Sequence, residues 1–361
     1  ATHVVANANP VQNVASNAVV NTLHYTRQGF FFISALVLVH SVRHRAGLGA
    51  PSRGALGRAS QMRRRVSVLG VPYLVWSTFY AVLGLITAYS LWAAKRLPWT
   101  WFVGLVQGTD GYHMYFLLVS VEFAVVFPLF MWLLNATRGH HAALLVVSGS
   151  LELATMAVFH YWYQPDGWWR ALAGESSLTA YQFWVLLGGV AALHLDRMHR
   201  FLVAHRLLVG GAFGAVLLAV TAWYFAGVAA GAEPEFAGRS LQPVTVPLAL
   251  AAIGAIYLVS VWIAGWVERG NGQGRDRPRR MLVVGTYLSF GIFLSHPAIL
   301  TGLLILQRRL PGGQAWHPVL ATTLIGLLDL VLSVAVALAL SRTPWSKALI
   351  GRPPLGRTAA R

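Results

Sequence analysis

Of 361 residues, 56% are apolar, only 11% are charged and mean hydropathy is +0.58, a composition that excludes an ordinary soluble enzyme. Lysine and arginine total 28 against 11 acids, a net charge of +17, but the bases fall in short clusters between apolar runs rather than on a solvated patch, so no nucleic-acid partner is expected. Cysteine is absent, which removes disulfides, thiolate nucleophiles and cysteine metal sites together.

The chain opens at Ala1, and the stretch to Ala8 before Asn9-Pro10-Val11-Gln12-Asn13 is expected to be the tail of a span whose earlier part precedes this sequence. A mature start after signal cleavage is the competing expectation. Nine long apolar segments follow, near 27–42, 66–92, 112–134, 141–160, 178–195, 202–229, 243–265, 282–306 and 318–341. A bilayer crossing needs about 20 such residues, and lipid offers no partner for backbone N–H and C=O, so these segments are predicted to be helices. Pro98 to Gly108 is too short to span and is expected at the headgroup level, where Trp99 and Trp101 suit it. Residues 1–341 are thus expected to form an all-α polytopic membrane bundle, and 342–361 a mobile basic arm on anionic lipid.

Arginine and lysine sort by alternate loops. One side, which carries Arg43 to Arg65, Arg138, Arg197 to Arg206, Arg269 to Arg280 and the C-terminal tail, holds 21. The other, with Arg27, Lys95, Arg96, Arg170, Arg239, Arg308 and Arg309, holds seven. The positive-inside rule makes the richer side cytoplasmic, with the C-terminus inside and His3 outside. The use of 26 arginines against two lysines suggests a bacterial source with a GC-rich genome. No Walker motif, HExxH, GxSxG or CxxC is present.

Four stretches resemble the acyltransferase-3 family of integral membrane O-acyltransferases. Arg27-Gln28-Gly29-Phe30-Phe31-Phe32-Ile33-Ser34-Ala35 is similar to the family's second span, although a glycine usually follows the serine. Arg63-Arg64-Arg65 followed by Val71-Pro72-Tyr73-Leu74-Val75-Trp76 resembles its basic loop and third span. Tyr112-His113-Met114-Tyr115-Phe116-Leu117, with Pro128 downstream, resembles the fourth. Tyr287 to Pro297, containing Ser295-His296-Pro297, resembles the penultimate span and is the most specific. The resemblance implies ten spans, the first largely missing here, and an acyl group, acetyl by expectation, moved from cytoplasmic acyl-CoA to a hydroxyl of an extracytoplasmic glycan or similar acceptor. No metal is expected, and oligomeric state is not legible.

The family places a histidine some two dozen residues before the second span, and His3 precedes Arg27 by 24. The resemblance therefore carries the catalytic histidine to His3, while the family's arginine about three turns upstream would precede Ala1. The arginine usual four residues before the proline is Val68 here, which leaves Arg65 as the nearer match. Acyl transfer needs a base for the hydroxyl proton, and histidine titrates in the right range. His296 lies fourteen residues into a span that starts inside, about 21 Å of rise, and His113 starts its span from the outside, so His3, His113 and His296 are expected to converge on one cavity. Ser289 and His296 share a helix face at a spacing of seven. The alternative for His3 is a frayed terminal histidine meeting water, and for the set as a whole ordinary interhelical hydrogen bonds.

Arg63, Arg64 and Arg65 are candidates for the 3′-phosphate and pyrophosphate of coenzyme A, against a purely topological role. Glu122, Glu152 and Asp329 lie near the midplane. Structural roles are favoured for Glu122 and Asp329, and Glu152 stays open. A secondary transporter using these carboxylates is the rival reading, though no repeated halves are visible.

Overall fold

The computed structural model describes residues 2–47, 55–88, 91–162, 174–269, 276–310 and 316–355, and every regular element among them is helical. Seven helices are long and apolar enough to cross a membrane, or eight if the bent pair Leu178–Leu193 and Leu195–Ala204 counts as one. Side chains such as Leu207, Val146 and Trp132 stand well exposed on their outer faces, as lipid contact requires.

We number the helices in chain order. Two short ones, α1 (Thr2–Asn7) and α2 (Val14–Leu23), precede α3 (Tyr25–Gly47). The segment expected to span at 27–42 is α3, but Arg27, Gln28, Arg43 and Arg45 flank its apolar centre and keep it out of the seven. Next come α4 (Ala55–Ala88), α5 (Leu91–Gln107) and α6 (Tyr115–Ala136). The expected headgroup segment is thus the second half of a 17-residue helix, and Trp99 is 67% exposed. Beyond α7 (His141–Ala157), a π-helical turn (Val158–Trp162) and a 3₁₀ turn (Leu178–Tyr181) come α8 (Gln182–Leu193) and α9 (Leu195–Ala204). The chain bends by 93° between the turn-plus-α8 unit and α9. Arg197 and Arg200, expected in a loop, instead lie on this amphipathic helix. Then follow α10 (Arg206–Ala229), α11 (Pro234–Ala237), α12 (Thr245–Glu268), α13 (Asp276–Arg309), α14 (Pro318–Ser341) and α15 (Ser346–Ile350).

Two groups of helices share α6. In the first, α3 packs along α8 and against α12, and α7 and α10 flank them. Its core joins Phe31, Ala35 and Val39 to Phe123, Phe127, Tyr181 and Trp184. The crossing of α3 and α8 is backbone-close, since a Cβ on Gly188 would lie 2.1 Å from the Phe32 carbonyl oxygen; toward α6, one on Gly189 would lie 2.5 Å from the Phe130 ring. Small residues permit such approach between membrane helices, where dispersion replaces a hydrophobic driving force. In the second group, α13 packs along α14 while α4 packs on α5 and α6.

The tail does not begin as a free arm. Ile350 is fully buried, the Trp76 indole donates to the Leu349 carbonyl at 2.8 Å, and the Tyr287 hydroxyl donates to the Pro353 carbonyl. Gly351 turns the chain at φ +64°, and a Cβ there would sit 3.2 Å from the Val68 carbonyl oxygen. Residues 356–361 lie outside the described residues.

Candidate active site

Helix α1 is seated, not frayed. Val4 is 4% exposed and joins Leu300, Ala321 and Ile325 in an apolar cluster between α13 and α14, and the Asn9 amide donates to the Thr322 hydroxyl at 2.9 Å. This anchoring carries His3 to the start of α6 and the middle of α13. Its ring lies 4.5 Å from Tyr112 and 5.5 Å from His296, centroid to centroid, and His113 lies 5.6 Å from His296. The three expected histidines therefore meet.

Each imidazole has a different environment. The Nδ1 of His296 donates to the Phe293 carbonyl at 2.8 Å, which leaves its Nε2 with the lone pair. His113 is 1% exposed, packs edge-on against Tyr80 and Phe293, and neither ring nitrogen has a hydrogen-bond partner. Tyr80 donates instead to the Leu294 carbonyl at 2.6 Å. Ser289 is not part of this group: it is exposed, bonds its own helix at Thr286, and lies two turns from His296 along α13.

The arginines sit elsewhere. Tyr80, which touches His113, is fifteen residues beyond Arg65 on α4, about 22 Å of helix rise. Arg63 is exposed, and the half-buried Arg65 guanidinium stacks over Phe127 at 4.8 Å. The side chain of Arg64 lies outside the described residues. Between the two ends Tyr73, Trp76, Tyr80, Leu117 and Leu294 form a packed column.

Toward the histidine end opens a cavity of about 980 Å³. Its lining includes Asn17, His24, Tyr112, Tyr115, His160, Glu175, Arg239 and Ser240 but none of the histidine trio. Arg27 pairs with Glu175 at 2.8 Å and donates to Ser240 at 2.9 Å, while Ser240 also donates to Glu175. Burial alone would raise the Glu175 carboxyl, but the Arg27 charge and the Ser240 hydroxyl hold it below the usual carboxylate range. His24 donates from Nε2 to the Gly238 carbonyl at 2.8 Å, and its Nδ1 has no partner. Burial first, then the Arg27 charge, pulls the His24 imidazole down to about 4, so it is neutral at pH 7.

His24, Glu175 and Ser240 were not singled out from sequence, and Tyr112 entered only as a neighbour of His113. A signal existed in His24 and Arg27, which stand three apart at a span entrance. Glu175 and Ser240 lie 65 residues apart in separate loops, and nothing local links them.

The midplane carboxylates are each held by local donors. Glu122 accepts from the Leu178 N–H at 2.8 Å, Glu152 from the Trp184 indole at 3.1 Å and the Gln182 amide at 3.2 Å, and Asp329 from Ser333 at 3.4 Å. Among the described residues no three His, Asp or Glu side chains meet with metal-site spacing, the histidine trio included.

The acyltransferase-3 family model, described as an acyltransferase domain, matches residues 1–342. No curated protein and no solved structure matches the chain. A match that runs through α14 covers the histidine trio, the arginine segment and the cavity alike, so the chain belongs to the acyltransferase-3 family and is a multi-pass membrane acyltransferase.

Proposed function

We propose that the protein transfers an acyl group, acetyl by preference, from cytoplasmic acyl-CoA to a hydroxyl of an extracytoplasmic glycan or similar acceptor, with His3 as general base. The observation that carries this reading is the meeting of His3, His113 and His296 beside a large cavity, at the end opposite the arginines. The positive-inside rule assigns the arginine end to the cytoplasm, where acyl-CoA is made, and gives the cavity to the acceptor. Arg63, Arg64 and Arg65 bind the donor's phosphates, and a long arm is needed because the histidines lie about 22 Å further along α4.

His3 takes the acceptor's hydroxyl proton as the oxygen attacks the thioester carbon. His113 donates to the carbonyl oxygen, which carries the negative charge of the tetrahedral intermediate. The C–S bond then breaks, and the coenzyme A thiolate leaves with the proton returned by His3, so an ester and a free thiol are the products. The His296 Nε2 lone pair helps hold the protonated His3. A transporter relay through Glu122, Glu152 and Asp329 draws no support from side chains tied to their own local donors.

Incubation of sealed membranes with radiolabelled acetyl-CoA and a panel of glycan acceptors tests the proposal. Label in a covalent, base-labile ester on the acceptor is the expected result. Uptake of an acceptor without ester formation would overturn it.

A further inference from the structure

None of the three histidines lines the cavity, so an acceptor must reach His3 past whatever separates the two. Tyr112 is in that position. Its ring packs 4.5 Å from His3 and 5.6 Å from His113, and the same side chain lines the cavity. It is 43% exposed, whereas the nearby Tyr80 is buried with its hydroxyl bonded to Leu294. The Tyr112 hydroxyl makes no hydrogen bond among the described residues. A phenol packed on a candidate base, with its polar tip unpaired and its flank lining a cavity of mixed polar and apolar walls, is arranged to meet a ligand.

The backbone beneath it is fixed. Gly108 adopts φ +68°, and a Cβ there would lie 2.5 Å from the Tyr115 Cα, so only glycine lets the end of α5 turn this closely onto α6. The Thr109 N–H donates to the Gly104 carbonyl at 2.8 Å and the Met114 N–H to the Gly111 carbonyl at 2.8 Å. Tyr112 is thus presented from a tight, hydrogen-bonded turn, as accurate placement of a substrate hydroxyl requires.

We infer that Tyr112 seats the acceptor: a C–H face of the acceptor packs on the phenol ring, and the phenol hydroxyl bonds the acceptor next to the O–H that His3 deprotonates. This assignment rests on the proposed acyl transfer and adds the residue that selects and orients its polyhydroxylated substrate.

Two measurements test it. Because the chain has no cysteine, Tyr112→Cys introduces a single thiol, and a membrane-impermeant maleimide added to sealed vesicles of known orientation reports from which side position 112 is reached. Labelling only from the face opposite the arginines is expected; labelling only from the arginine face, or none in a folded protein, would overturn the seat. Tyr112→Phe keeps the ring on His3 and removes one hydrogen bond, so KM for the acceptor should rise about three- to tenfold while KM for acyl-CoA holds. Tyr112→Leu should also lower kcat, because His3 loses its packing partner. An unchanged acceptor KM in Tyr112→Phe, or an equal rise in both KM values, would refute the role. Labelling from the expected side with no acyl transfer by the wild type to any hydroxyl compound would instead sink the proposed reaction, and this assignment with it, while the accessibility of position 112 stood.

Discussion

Replacing His3 by alanine isolates the base from its surroundings. Loss of a general base costs about 10² to 10⁴ in rate, roughly 3 to 5 kcal/mol of barrier. The structure argues for the upper half of that range, since His296 is a poor substitute. Its ring centroid lies 5.5 Å from that of His3, and its Nδ1 is tied to the Phe293 carbonyl at 2.8 Å, so it cannot swing into the vacated position without breaking that bond. Folding should survive, because α1 is anchored by Val4 and Asn9 rather than by His3. The assay is transfer of labelled acetyl from acetyl-CoA at saturating donor, alongside donor binding and size-exclusion behaviour of the detergent-solubilised protein. We expect a fall of about 10³ in kcat with acetyl-CoA affinity retained, and a milder loss for His296→Ala, which leaves His3 on Tyr112. Turnover within tenfold of wild type from a monodisperse His3→Ala protein would refute the assignment and move the search to His113 and His296.

Joint replacement of Arg63, Arg64 and Arg65 by glutamine should raise the acyl-CoA Kd more than it lowers kcat, since phosphate contacts far from the thioester contribute uniform binding of roughly 1.5 to 3 kcal/mol each. Unchanged affinity in a correctly inserted variant would leave these residues a topological role. Gly188→Ala should destabilise the bundle by about 1 to 3 kcal/mol, because a Cβ 2.1 Å from a backbone oxygen forces α3 and α8 apart; a Tm equal to wild type in detergent would contradict that crossing. Acid should weaken the cavity end. His24 titrates near 4 when folded, below its usual 6.5, so the unfolded chain binds more protons between those values and stability rises with pH across that window, by at most about 1.4 kcal/mol for each pH step of one. The depressed carboxyl of Glu175 acts in the same direction. In His24→Asn the fall in Tm from pH 7 to pH 5 should be shallower, and an unaltered slope would show that His24 does not carry it.

Among the described residues, the nine apolar segments correspond to helices, because a run of about 20 apolar residues in lipid has little other structure open to it. Where helices bend or dock was less legible. The 93° turn before α9 follows from an amphipathic segment too polar to continue the crossing, and the docked α15 depends on Gly291 and Gly351, residues far from one another in sequence whose missing side chains admit it. At the site, the depths of His113 and His296 could be anticipated by residue counting along their helices, whereas His3 was placed only by the family resemblance. The absence of Ser289 from that group shows the limit of the same arithmetic. A shared helix face narrows the direction but does not place two side chains in one pocket when they lie two turns apart along the axis. Tyr112 stood in the sequence only as the first residue of the fourth-span stretch, and that place does not show that its hydroxyl is left unpaired.

The seating of α1 between α13 and α14 has a consequence for biogenesis. His3 and His296 are 293 residues apart, and a ribosome adding about 5 to 20 residues per second needs roughly 15 to 60 s to make that length. Throughout that interval the first helix has been synthesised but its berth has not. It has only temporary neighbours until the last pair of helices inserts. Chains cut short before α13 therefore contain an inserted bundle with no assembled histidine trio, and the capacity for acyl transfer arrives only with the completed polypeptide.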